Sequence, residues 1–415
     1  MKRLLMIAFH FPPLAGSSGI QRTLRFARYL PDNGWEPIIL SAHPRAYERT
    51  SDDQLQDMAP GLRVVRAQAW DTARHFAIGG RYIGALARPD RWLSWKYDAV
   101  RQGMRLIREL RPDAIWSTYP IATAHLIGLA LHRRSGLPWV ADFRDPMAQD
   151  GYPKDPATWH SFARIESQAL TAATASTFTT PSALALYRQR YPQLVNSTHL
   201  LENGYDEETF SATSGQASGV LNPGRLTLLH SGIVYPSERD PRTLFAALEW
   251  LKQSDLETYA QLRIRFRAPV HDALLHELAR HHGVEDAIEV FPAIPYREAL
   301  AEMLQADALL ILQAGNCNAQ IPAKLYEYMR ARRPMLALTD PAGDTGITCR
   351  NAGIDAIAPL DDRHAIAALL TRFYKNPNSG THASEAAIIN ASRQGRTQEL
   401  ARILHAASNV SDKNA

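Results

Sequence analysis

The segment Pro322-Ala323-Lys324-Leu325-Tyr326-Glu327-Tyr328-Met329 sets a cation and a carboxylate three residues apart, directly after a polar loop at 313–321 that contains Gly315. Residues three apart share one face of a helix. Pro322 suits the first turn, where a missing N–H costs nothing. Backbone donors entering such a helix, with Lys324 beside them, suit a diphosphate. Glu327, one turn in, is placed to accept hydrogen bonds from ribose hydroxyls. Without a ligand the same pair reads as an exposed ion pair worth a few tenths of a kcal/mol.

Other positions offer chemistry of their own. His10-Phe11-Pro12-Pro13-Leu14-Ala15-Gly16-Ser17-Ser18-Gly19 joins a first apolar run to a helical pattern. Glycines there permit a tight turn and expose N–H groups to an anion. The loop is neither GxGxxG nor a Walker loop, which argues against NAD(P) and ATPase readings. A plain turn capped by Ser17 or Ser18 is the alternative. Asp142, Arg144 and Asp145 crowd one strand end, as an acceptor-side polar surface or as a self-satisfied ion-pair lock. His125, on an apolar helical stretch, is either a ligand contact or a core histidine. Residues 74–111 hold nine Lys/Arg against three Asp/Glu, interleaved with Phe76, Tyr82, Trp92, Trp95 and Tyr97. That mixture suits an anionic membrane surface, or a solvated basic face over core tryptophans. No RNA-binding motif accompanies it, so a nucleic-acid partner is not expected.

The elements that must position these residues alternate. Apolar runs at 4–9, 37–40, 114–116, 138–141 and 177–179 read as strands, with a helix at 19–30 and further helical patterns between. A second series follows at 226–230, 262–266, 288–291, 308–312 and 334–338, with helices at 243–251 and 323–332. Alternation of this kind predicts α/β architecture: two doubly wound, Rossmann-like parallel-sheet domains facing a cleft, with ligands beyond the carboxyl ends of the strands. The expected domains are 1–205, a small, polar linker at 206–224, 225–376, and a C-terminal helix and tail at 377–415. The chain has 415 residues, 45% hydrophobic and 21% charged, which suits two globular domains and excludes a disordered chain. Two cysteines exclude a disulfide framework and favour a reducing compartment. No stretch approaches the ~20 apolar residues of a membrane span. Residues 1–205 carry a net charge of +8 and the rest −4, a split expected if the halves meet different partners.

Taken together, the donor-type segment 322–329 with Arg333-Pro334 after it, Phe11-Pro12-Pro13 with Gly16 and Gly19, Glu202-Asn203-Gly204-Tyr205-Asp206, and His230-Ser231-Gly232 resemble glycosyltransferase family 4. Ala141-Asp142-Phe143-Arg144-Asp145-Pro146 resembles a loop of its bacterial surface-polysaccharide members. The likeness spans nearly the whole chain. It implies the two-domain GT-B fold, a C-terminal helix crossing back to the first domain, and retaining transfer from a nucleotide-diphosphate sugar to a glycan or lipid-linked acceptor. It also implies no metal or other cofactor, and a cytoplasmic protein, peripheral on the inner face of the membrane if the basic segment binds lipid.

On this resemblance Arg239, Lys324, Glu327 and His125 are the catalytic candidates. Gly16, Gly19, Asp142, Arg144, Asp145, Asn203, Gly232, Gly315 and Ala323 are the substrate-binding ones. Two positions depart from the family pattern: Ala319 stands where a first glutamate is usual, and Ile233 where an arginine follows the glycine. Arg239 and Lys324 are then expected to share the diphosphate's charge. A nucleotide-sugar epimerase or hydrolase of the same fold, or a catalytically lapsed partner subunit, are the competing readings.

Overall fold

The computed structural model describes residues 1–15, 19–52, 54–55, 57–214 and 219–412. Gly16, Ser17 and Ser18 of the first loop lie outside them. The chain forms two compact units, one of residues 1–203 with 393–415 and one of 204–392.

The first unit holds seven parallel strands: β1 (Lys2–Ile7), β2 (Trp35–Ala42), β3 (Arg63–Ala67), β4 (Ala114–Thr118), β5 (Trp139–Arg144), β6 (Ala175–Phe178) and β7 (Thr198–Leu200), in the order β3-β2-β1-β4-β5-β6-β7. The second holds six: β8 (Leu226–Ser231), β9 (Leu262–Arg267), β10 (Ile288–Phe291), β11 (Ala308–Leu312), β12 (Met335–Leu338) and β13 (Ile357–Ala358), in the order β10-β9-β8-β11-β12-β13. The strand order reverses between β1 and β4, and again between β8 and β11, while all the strands stay parallel. Loops after those strands are where such sheets bind ligands.

Both sheets are buried on both faces, which is why their strands read as unbroken apolar runs. Leu5 and Ile7 of β1 join one core cluster, while Leu4 and Met6 join another. In the second unit Leu228 and Leu310 lie in one cluster, and Leu229, Leu309 and Ile311 in the other. The short strands β3, β7 and β13 escape a reading by apolar runs. β3 reads Arg-Val-Val-Arg-Ala, with its two valines flanked by arginines, and β13 is two residues long.

Two boundaries differ from the sequence expectation. Part of the expected linker is the helix Glu207–Ser214, capped by Asp206, whose carboxylate accepts from the Thr209 N–H. Glu207 pairs with Arg330, so this helix belongs to the second unit. Its Ser/Thr/Ala composition reads as turn-rich, and only the cap and the ion pair reveal it. Residues 215–218 lie outside the described set. Of the tail, residues 377–392 stay with the second unit, where Ile388 and Ala391 enter its core.

The helix Arg393–Asp412 belongs to the first unit. Leu400, Ala401, Ile403, Leu404 and Ala407 complete the cluster that contains Leu4, Met6, Phe26 and Trp35. Arg396 pairs with Glu202, and the Trp35 indole N–H donates to His405 at 3.2 Å. Burying a large aliphatic side chain is worth ~1.5–3 kcal/mol, so Leu400, Ile403 and Leu404 together contribute on the order of 5 kcal/mol. Truncation after Ser392 should therefore unfold the first unit or lower its Tm by more than about 10 °C. An unchanged thermal transition would contradict this packing.

Candidate active site

β8 runs out at Ser231, and Gly232 follows with φ +121°, a backbone state that side-chain-bearing residues rarely adopt. A Cβ there would stand 2.9 Å from the Lys324 amine. Glycine is thus required both by the turn and by the close approach of the lysine. Lys324 opens the helix Lys324–Ala331, with Ala323 at its N-cap and the Leu325 N–H bonded to the Pro322 carbonyl. The Tyr328 hydroxyl of the same helix accepts from the Ser231 N–H at 2.9 Å and ties helix to strand end.

The Lys324 amine lies 3.2 Å from His230 Nε2. His230 Nδ1 is 2.9 Å from the Leu310 carbonyl, which can only accept, so the proton sits on Nδ1 and Nε2 offers its lone pair to the lysine. His230 is fully buried, and burial and the Lys324 charge keep it neutral. Burial, reinforced by Arg239 and opposed by Glu327, lowers the lysine to about 7. The site therefore holds a desolvated amine beside a second cation, short of the negative charge that would hold it fully protonated.

Arg239 lies on the loop after β8. It donates to the Ile233 carbonyl at 2.7 Å, and its guanidinium stands over the Tyr235 ring. Glu327 accepts from the Tyr296 hydroxyl at 2.7 Å. The loops after β8 and β11 are pinned together by Asn316 Nδ2 on the Ser237 carbonyl and by the Ala314 N–H on the Glu238 carbonyl. Gln313 braces the second loop from within, donating to the carbonyls of Cys317 and Gln320 and accepting from Thr345. A cavity of about 630 Å³ opens between these loops and those after β12 and β13; Gly315 lies on its wall with Ser237, Asn316, Asp240, Asp340 and Asp361. Three carboxylates on the wall disfavour a phosphate there. An anion is better served beside Lys324, which does not line this cavity.

The structure thus brings together Gly232, Arg239, Lys324, Ala323 and Glu327, with Gly315 close by. His230, Tyr296 and Tyr328 complete the set, and they were missed as functional residues. Their partners are distant in sequence, and no spacing rule links them.

The first unit's expected residues fare differently. Asp142 is fully buried: Oδ1 accepts from Arg22 and Thr177, Oδ2 from Arg22 and Thr118. Burial alone would raise its pKa, but the Arg22 guanidinium outweighs that and holds it below the usual carboxylate range. Asp142 is therefore a structural lock, not a substrate contact. Asn203 is drawn into the same lock, its Oδ1 accepting from Arg22 at 3.3 Å. His125 is also fully enclosed; its Nδ1 meets Ser117 at 2.9 Å and its ring centroid lies 4.6 Å from that of Phe143. Burial drives it down to about 4. With no exposed atom it does not reach a sugar, contrary to the expectation from sequence. Gly19 is the buried first residue of the helix Gly19–Tyr29, and Gly16 lies outside the described residues. Arg144 and Asp145 remain at the strand end, half-buried and exposed.

Residues 18–204 match the family of glycosyl transferase 4-like domains. Among solved structures, the chain is similar to sucrose-phosphate synthase from Thermosynechococcus elongatus, with 14% identity, TM-score 0.62, and coverage of 100% of this chain and 98% of that one. It is similar to Anabaena HepE in complex with UDP, with 12% identity, TM-score 0.67, and coverage of 98% and 100%. A structure described as a UDP-N-acetylglucosamine 2-epimerase from Listeria monocytogenes matches with 12% identity, TM-score 0.56, and coverage of 100% and 97%. The comparison with curated proteins returned no match. At these identities the structural likeness speaks for the fold, and the family match speaks for the first unit. The chain has the GT-B fold, and its residues 18–204 match the glycosyl transferase 4-like domain.

Proposed function

We propose that the protein is a retaining glycosyltransferase that moves a sugar from a nucleotide-diphosphate donor to a polysaccharide or glycolipid acceptor. The observation that carries this reading is the half-buried Lys324, its amine set against Gly232 near Arg239 at the switch point of the second sheet. Two neighbouring cations, Lys324 and Arg239, suit a diphosphate leaving group. Glu327, already accepting one hydroxyl from Tyr296, suits the ribose. The UDP bound by HepE is consistent with that donor class. In this reading bond breaking at the anomeric carbon rests on stabilising the departing diphosphate, which also helps to take the acceptor's proton. Arg239 and Lys324 supply the charge, and no metal is called for.

Titration calorimetry with UDP and uridine tests the donor site. UDP should bind at least tenfold more tightly than uridine; equal affinity would remove the diphosphate from the account. In a double-mutant cycle, changes at Arg239 and Lys324 should be non-additive for UDP affinity, because both would act on one anion. Strict additivity would separate them.

The acceptor is proposed to be presented at an anionic membrane surface. Among the described residues no helix is long and apolar enough to cross a membrane. Of the aromatics expected to meet lipid, Trp95 is fully buried and Trp92 packs on the core through an indole N–H bond to Ala46. Residues 72–89 instead carry three arginines and no acidic side chain. They expose Phe76, Tyr82, Leu86, Ile78 (88% exposed) and Ile83 (68%) around a Gly79-Gly80 turn. Basic and apolar groups on one exposed segment suit insertion into an anionic leaflet. Ile78→Asp with Ile83→Asp should abolish binding to anionic vesicles, and Arg81→Glu should weaken it. Reversal at exposed Arg280 and Arg297 should leave it intact. Arg91 and Arg265 make poor probes, because Asp71 and Glu48 hold the first and Glu289 and Glu302 the second. Equal binding by the Ile78/Ile83 variant would dismiss this surface.

A further inference from the structure

Two arginines meet the charged loop after β5, and they are satisfied very unequally. Arg22 spends its donors on both oxygens of Asp142, on the carbonyls of Leu201 and Glu202, and on Asn203. Asp142, saturated by Arg22 and two threonine hydroxyls, has nothing left for a second cation. Arg144 makes one long hydrogen bond, 3.3 Å from Nη1 to the Tyr119 carbonyl. Its Nε is buried without any hydrogen-bond partner. No ion pair within 4 Å reaches Arg144 among the described residues; the adjacent Asp145 is exposed and accepts from Thr179 at 3.3 Å.

The backbone is committed to this arrangement. Arg144 has φ +63°, in the left-handed region that costs a side-chain-bearing residue energy. The pairing of β5 with β6 slips between Asp142 and Arg144, a bulge that re-aims the side chain. Both the N–H and the hydroxyl of Thr179 donate to the Arg144 carbonyl at 2.9 Å and hold the strained residue in place. Strain and an unmatched buried donor in one residue mark a candidate functional position. The place is consistent: Tyr119 follows β4, next to the switch point of the first sheet, and His10 follows β1 on its other side. Burial and the neighbouring Arg144 charge push His10 down to about 4, so at neutral pH it adds no competing cation.

We propose that Arg144 is the oxyanion-receiving group of the first unit, taking a phosphate or carboxylate of the acceptor at its guanidinium. An arginine edge with two parallel donors matches the two oxygens of such a group. This names a charge on the acceptor and rests on the transferase reading only for calling the ligand an acceptor. The oxyanion contact itself needs no turnover.

The test uses the full chain, saturated with UDP so that the Lys324 site is occupied, and titrated with glycerol 3-phosphate, glucuronate and glucose. At least one of the two anions should bind, and the one that does identifies a phosphate or a carboxylate acceptor. Arg144→Gln and Arg144→Gly should weaken that anion by about tenfold to a hundredfold, as expected for a lost charge-assisted pair of hydrogen bonds. They should leave glucose and UDP affinities within twofold. Arg144→Gly should also hold or raise the Tm, because glycine adopts φ +63° without strain. Arg144→Lys keeps the charge but loses the fork, and should recover only part of the affinity. Failure of both anions to bind would overturn the proposal. So would unchanged anion affinity in the Gln and Gly variants, and so would a large fall in Tm of Arg144→Gly, which would make the residue a structural tie. If UDP does not bind, the donor-site reading fails, and the anion titrations are read on the unliganded chain.

Discussion

Replacing Lys324 with methionine is expected to lower donor turnover by ~10²–10³-fold while leaving the thermal transition in place. Methionine keeps the apolar stem that packs beside Gly232 and removes only the amine. That amine is already desolvated, held at about 7, so its removal takes nothing from stability that a solvated ammonium would supply. When an anionic diphosphate arrives, the opposite charge restores the ammonium form. Nucleotide binding above pH 7 must then take up a proton, and affinity should fall as pH rises, towards tenfold per unit. UDP titrations at pH 6.5, 7.5 and 8.5 read this directly. The slope should vanish in Lys324→Met. A pH-independent affinity in the wild type, or full turnover in the variant, would remove Lys324 from the chemistry.

Glu327→Ala should weaken donor binding by about tenfold to a hundredfold, the scale of hydrogen bonds to a charged group worth ~1.5–3 kcal/mol. The carboxylate accepts the Tyr296 hydroxyl at 2.7 Å, which fixes its rotamer one turn into the helix that Lys324 opens. The loss should be confined to nucleotides that carry ribose hydroxyls. Measured with UDP and with 2′,3′-dideoxy-UDP, wild type and variant should differ for the first and converge for the second. An equal loss for both would make Glu327 a general electrostatic or structural residue.

Much of this was legible from the chain because it is local. Lys324 and Glu327 share one helical turn, and a helix entered from a strand fixes their side of the sheet. Apolar runs such as Leu309-Leu310-Ile311 announce strands buried on both faces. Contacts between residues far apart were not legible. His230 and Lys324 are 94 positions apart, Tyr296 and Glu327 are 31, and Arg22 and Asp142 are 120. That last distance hid the difference between Asp142 and Arg144. From sequence they form one polar cluster, and only the fold hands Asp142 to Arg22 and leaves Arg144 unmatched. His125 misled for the same reason, since its helix reads as apolar but nothing local says that Phe143 and Trp139 close over the ring. In the basic segment the tryptophans suggested an interface, whereas the core took Trp95 and solvent kept Ile78 and Ile83.

Product analysis tests the central claim most directly. The purified protein is incubated with a panel of nucleotide-diphosphate sugars and a lipid-linked glycan extract, and the products are resolved by mass spectrometry. The account predicts free nucleoside diphosphate in step with an acceptor heavier by one sugar residue, and neither product from Lys324→Met. Recovery of the nucleotide still joined to an altered sugar, with no acceptor gaining mass, would contradict transfer and favour the epimerase chemistry of the same fold.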